Sequence, residues 1–160
     1  LRGRNQGGRA VKPTLYLTNW SSHRTPGCHG PGRKLTIMAA PRHWEKGEGC
    51  VGALVPNLDD LRDVKAARIT VDEYRERFNA VLNTLRLLPL WLTIDPPDNR
   101  TLPMSGLPLW IPQLVESGDT LCCACSRAEA AAGRCHRVWA AHALAAAGWN
   151  IILDGEPLEP

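Results

Sequence analysis

No apolar stretch in the chain approaches the roughly twenty residues of a membrane-spanning helix, so no membrane association is expected. The opening Leu1-Arg2-Gly3-Arg4-Asn5-Gln6-Gly7-Gly8-Arg9-Ala10 is basic and lacks an apolar centre. That excludes a secretory signal and predicts a disordered basic extension over residues 1–12. No internal repeat is visible, so solenoids and propellers drop out. Acid is nearly missing from the first third: residues 1–46 hold nine Lys/Arg and one acid, Glu45, a net of +8. Residues 47–160 hold ten Lys/Arg and fifteen acids, a net of −5, so the overall +3 conceals two parts of opposite sign. A basic N-terminal third points to a phosphate-bearing partner, a nucleotide or nucleic acid, or else to a solvated basic tail and loop.

What is present fits one domain, residues 13–160 of the 160. Six cysteines would suffice for three disulfides, but a chain of this length builds its core without staples. Cys122 and Cys123 are adjacent, and adjacent residues on a strand point to opposite faces. The expected state is reduced thiols in a cytoplasmic protein.

Thr14 to Trp20, β-branched and aromatic, reads as the first strand. A Gly/Pro-rich loop runs from Ser21 to Lys34, and Leu35 to Ala40 reads as a second strand stopped by Pro41. Val51 to Val55 is strand-like, and a short helix is expected from Asp59 to about Ala66 with Asp59 or Asn57 as its cap. Thr70-Val71-Asp72-Glu73 is a capping box. Tyr74, Phe78, Val81, Leu82, Leu85 and Leu88 follow at helical spacing up to Pro89. Residues 89–112 hold six prolines and read as a lid or binding loop, with a candidate strand from Leu90 to Ile94. Thr120 to Cys125 is the candidate central strand, Ser126-Arg127-Ala128-Glu129 a second capping box, Cys135 to Ala147 a helix, and Trp149 to Asp154 the last strand. Strand, helix and strand of these lengths imply a right-handed crossover between parallel strands. The fold class is therefore α/β: a mostly parallel open sheet with flanking helices, and ligands at the carboxyl ends of its strands.

Four of the six cysteines crowd between positions 122 and 135, and Cys135-His136-Arg137 opens a helix. A helix N-terminus presents unpaired N–H groups and partial positive charge, which lower a thiol pKa and attract anions. Residues just past a strand and at the next helix start share one rim. The candidate catalytic residues there are Cys125 or Cys135 as thiolate nucleophile, and His136 or His23 as proton carrier. The candidate ligands of phosphate or carboxylate are Asn19, Ser21, His23, Arg24, Arg33, Lys34, Ser126, Arg127 and Arg137. Arg137 has a structural alternative, an ion pair with Asp119 or Asp154, and Cys122 and Cys123 read as strand core. Cys122-x-x-Cys125 with Cys135-His136 offers zinc-type ligands, but in a strand rather than a knuckle turn, so no metal ligand is assigned. The expected function is an enzyme acting on a nucleotide, nucleobase or nucleic acid. The alternatives are a non-catalytic binder of nucleic acid or of a phosphate ligand, and a zinc-stabilised interaction protein.

The segment from Thr120 to Gly155 resembles the bacterial and phage family called domain of unknown function 488. The resemblance lies in Leu121-Cys122-Cys123-Ala124-Cys125-Ser126, in Cys135-His136-Arg137 opening a helix, and in Gly148-Trp149-Asn150-Ile151-Ile152-Leu153-Asp154-Gly155 as a closing strand. Relatives often carry an acidic residue after the strand-end cysteine, where this chain has Ala124-Cys125-Ser126-Arg127. The resemblance implies an α/β fold and a nucleotide or nucleic-acid context.

Overall fold

The computed structural model describes residues 11–84, 89–92 and 113–159. Five strands form one sheet: β1 (Thr14–Asn19), β2 (Lys34–Thr36), β3 (Thr120–Cys123), β4 (Asn150–Leu153) and β5 (Glu156–Pro157). Their order is β2-β3-β1-β4-β5, with β2, β3, β1 and β4 parallel and β5 antiparallel on the β4 edge. Among the described residues four α-helices accompany them: α1 (Leu58–Lys65), α2 (Val71–Thr84), α3 (Arg127–Ala131) and α4 (His136–Ala146). The chain is thus an α/β domain with a mostly parallel sheet and flanking helices.

The period-2 alternation of the strands sorts their residues between two faces. Leu35, Leu121, Leu17 and Leu153 align across β2, β3, β1 and β4, and Leu15 aligns with Ile151. Leu15, Leu17, Leu35, Leu121 and Ile151 are all buried, on the face that α4 covers with Trp139, Ala140, Ala141 and Leu144. Helix α2 leans on α4 through edge-on ring contacts, Tyr74 to Trp139 at 5.3 Å and Phe78 to His136 at 5.7 Å. Thr36, Cys122 and Thr18 align on the opposite face. There the connection from β1 to β2 crosses β3, and Gly30 N–H donates to Thr120 Oγ1 at 2.9 Å. The approach is so close that a Cβ on Gly30 would stand 2.2 Å from the Gly118 carbonyl oxygen. Only glycine fits there.

Most element boundaries follow local chemistry. Asn57 caps α1 by accepting from Asp59 and Asp60 N–H, and the Thr70 hydroxyl accepts from Glu73 N–H at 3.1 Å. Val51 to Val55 departs from the strand expectation: Gly52–Leu54 is a single 3-10 turn. Its buried members, Val51 and Leu54, are spaced by three rather than two, so both face the core only if the chain turns. Strand β2 stops at Thr36 because Met38 N–H turns back to the Thr36 hydroxyl at 3.2 Å. Asp154 and Gly155, at φ 50 and 88, turn the chain into β5, the Asp-Gly pairing that a two-residue hairpin demands. The expected basic extension, apart from Val11 and Lys12, lies outside the described residues, as do Leu85, Leu88 and residues 93–112.

A candidate three-thiol centre

The crossover from β3 to β4 builds the site. Strand β3 ends at Cys123, and Ser126 caps α3 by accepting from Glu129 N–H at 3.1 Å. Gly133, at φ 72, stops α3, and the chain re-enters helix at α4 with Cys135 as the N-cap residue. Strand end and helix start thereby place Cys123 Sγ 3.6 Å from Cys135 Sγ. Cys125 joins them, with all three sulfurs within 4.8 Å of one another. Cys123 and Cys135 are fully buried, while Cys125 is partly open to solvent.

Arg137, one helical position inside α4, is itself wholly buried and holds the cluster together. Its Nη1 donates to Cys125 O at 2.7 Å, to Cys123 Sγ at 3.2 Å and to Cys135 Sγ at 3.6 Å. Its Nη2 donates to Asp154 Oδ2 at 3.0 Å and to Ser126 O at 3.4 Å. Arg137 Nε and Asp154 Oδ1 are buried without a partner among the described residues.

A buried guanidinium needs compensating negative charge. Hydrogen bonds from Cys125 and Cys135 hold the Cys123 thiol well below its ordinary pKa, and the Arg137 charge adds to them. The donors are affected oppositely. Its hydrogen bond to Cys123 pushes Cys125 up to about 11, and Cys135 is raised for the same reason. Burial opposes the charge on Arg137, but the Cys123 thiolate, with Cys135 and Asp154, outweighs it and raises the pKa. These opposite directions put the negative charge of the trio on Cys123, with Cys125 and Cys135 as its donors. Cys122 stands apart on the other face, and burial raises its thiol to about 12.

The remaining candidates fall into three groups. The first stands at the same carboxyl-end rim, where Trp20 N–H donates to Cys123 O at 3.0 Å. Here Asn19 Oδ1 accepts from Ser22 N–H at 2.7 Å, and His23 Nδ1 donates to the Trp20 carbonyl at 2.5 Å, its ring edge-on to Trp20. Ser21, Arg24, Ser126 and Arg127 are exposed, and Arg127 Nη2 reaches across to Cys28 Sγ at 3.3 Å, joining the loops after β3 and β1. The second group, Arg33 and Lys34, stands at the amino end of β2, the opposite edge of the sheet. Arg33 pairs with buried Asp119 at 2.7 Å and also donates to the Leu114 carbonyl. The third is His136, whose Nε2 donates to the Ile37 carbonyl at 2.8 Å; burial lowers its pKa, so the ring is neutral and anchors the end of β2 to α4. The zinc-type set read from the sequence does not assemble, because Cys122 faces the other way and His136 is committed. Three sulfurs at these separations are near the roughly 3.8 Å spacing of a tetrahedral thiolate site with bonds of about 2.3 Å. Here, however, the Arg137 guanidinium already stands against two of them as a cation.

Two residues of the centre were not assigned to it from sequence. Cys123 was visible as the alternation partner of Leu121, two positions on and on the same face. Asp154 was visible as the first residue of an Asp-Gly turn, although the sequence offered it only as one of two partners for Arg137. Comparison with family models, with curated proteins and with solved structures finds no match for this chain.

Proposed function

We propose that the chain is an enzyme acting on a nucleotide, nucleobase or nucleic acid, with Cys125 as nucleophile at the mouth of the three-thiol centre. The observation that carries this reading is a buried guanidinium bonded to two of three clustered thiols, while the third, Cys125, alone of the trio meets solvent. In this mechanism Cys123 accepts the Cys125 proton as Cys125 attacks, because it is the member of the trio that carries the negative charge and already receives the Cys125 hydrogen bond. Arg137 contacts both buried sulfurs and the Cys125 carbonyl, so the charge moves within the trio without leaving its cation. Arg137, Asp154 and His136 are positioning residues.

The substrate class rests on the surroundings. Exposed Arg24 and Arg127 supply cations at the rim, Trp20 and His23 supply an aromatic edge for a base, and the N-terminal third is strongly basic. The resemblance of residues 120–155 to domain of unknown function 488 agrees with that context. A panel of mononucleotides and a short oligonucleotide tests the reading through binding and product formation. The expected result is affinity that weakens as salt rises, with turnover reduced more than about a thousandfold in Cys125→Ser while binding persists. Binding without any cysteine-dependent product would favour a non-catalytic binder. Absence of binding across the panel would overturn the reading.

A further inference from the structure

Nucleophilic attack by Cys125 with Cys123 as its base leaves Cys135 without a task. Yet its sulfur lies 3.6 Å from Cys123 Sγ, fully buried and held by the same Arg137 Nη1. A partly exposed thiol backed by two touching buried thiols suits two-electron exchange with a disulfide: one sulfur to attack and others to resolve the mixed disulfide. We infer that the trio reduces disulfide substrates, with Cys125 receiving the substrate sulfur and the new disulfide coming to rest between Cys123 and Cys135. The inference shares with the function proposed above the Cys125 nucleophile and Cys123 as its proton acceptor, and nothing else.

The steps balance. Cys125, its proton passed to Cys123, attacks one sulfur of R–S–S–R. A Cys125–S–S–R bond forms and one RS⁻ leaves, taking the proton that Cys123 holds. Cys123 then attacks the Cys125 sulfur, expelling the second RS⁻ and forming a transient Cys123–Cys125 disulfide. Cys135 attacks Cys123 in turn, and its proton goes to the departing Cys125 sulfur. The second RS⁻ takes a proton from water. One disulfide has become two thiols, and Cys123 and Cys135 have supplied both electrons. The final bond requires their sulfurs to close from 3.6 Å to about 2.05 Å. An external dithiol returns the pair to its starting state by the same exchange.

The experiment treats the reduced, folded chain with glutathione disulfide, quenches with acid and maps the products by mass spectrometry. Trypsin cuts after Arg127, Arg134 and Arg137, so Cys135 emerges in the tripeptide Cys135-His136-Arg137, separate from the peptide that carries Cys123 and Cys125. The expected product has released two equivalents of glutathione, retains none, has lost two hydrogens and links the tripeptide to Cys123. In Cys135→Ala both equivalents of glutathione still leave, but the disulfide stops between Cys123 and Cys125 within one tryptic peptide, while Cys122→Ala behaves as the unaltered chain. A stable glutathione adduct with no crosslink in the unaltered chain, or thiols left unmodified, overturns the inference. Neither outcome involves a nucleotide, so failure here is distinct from failure of the proposed function.

Discussion

Arg137 Nη2 meets Asp154 Oδ2 at 3.0 Å, joining the first turn of α4 to the end of β4 across a side chain with no solvent exposure. The same guanidinium serves Cys123, Cys125 and Ser126, so removing it strands a carboxylate, a thiolate and two carbonyls together. Arg137→Met is expected to cost about 3–5 kcal/mol in urea denaturation. Arg137→Lys recovers only part of this, because one ammonium cannot reproduce a fork whose two arms serve different partners. Arg75→Ala breaks an exposed pair with Asp72 and is expected to change stability by less than about 1 kcal/mol.

Asp119 organises the other end of the sheet. Its carboxylate accepts from Arg33 Nη2 at 2.7 Å and from the backbone N–H groups of Arg33 and Glu116, both at 2.9 Å. Asp119→Ala removes the buried acceptor of those partly buried donors and should destabilise the fold by about 1–3 kcal/mol. Iodoacetamide reactivity of Cys125, measured under conditions where the variant remains folded, should not change. A change there would mean that Arg33 and Asp119 act on the thiol centre.

Gly30 has no room for a side chain. A Cβ there meets the Gly118 carbonyl at 2.2 Å and the Tyr16 ring at 2.6 Å, both inside the sheet crossing. Gly30→Ala is expected to cost about 1–3 kcal/mol through forced displacement of backbone, read as a lower urea midpoint with an unchanged slope.

His136 folds neutral because burial lowers its pKa. A lowered pKa means that below the unfolded value, about 6.5, the unfolded chain binds a proton which the folded chain does not. The histidine's contribution is therefore complete above that pH and is lost as pH falls through the folded value. Urea titrations at pH 5, 6, 7 and 8 should show stability dropping more steeply with acid in the unaltered chain than in His136→Gln, which keeps a donor for the Ile37 carbonyl but does not titrate. Equal slopes would contradict the neutral, buried state.

The sequence exposed much of this organisation where local chemistry is decisive. The Ser126 cap, the Thr70 cap and the start of α4 at Cys135-His136-Arg137 are all dictated within a few residues. The carboxyl-end rim followed from parallel strands alone. What stayed hidden depends on tertiary choice. Alternation separates Cys122 from Cys123, but which of them meets α4 depends on which sheet face the crossover covers. Arg33 looked like a free loop cation because Asp119, its partner, is 86 residues away in sequence. Val51 to Val55 looked like a strand because its composition suits one, whereas its burial spacing requires a turn.

The pH dependence of Cys125 alkylation tests the account of the centre most directly. With the charge of the trio on Cys123 and Cys125 held protonated up to about 11, the Cys125 rate with iodoacetamide climbs close to tenfold per pH unit from pH 7 to 9 in the unaltered chain. In Cys123→Ser, with the thiolate that raises it gone, Cys125 returns toward the ordinary thiol value of about 8.5, so the climb flattens as pH approaches 9. The same flattening in the unaltered chain would contradict the account, because Cys125 would then titrate as an ordinary thiol beside two bystanders.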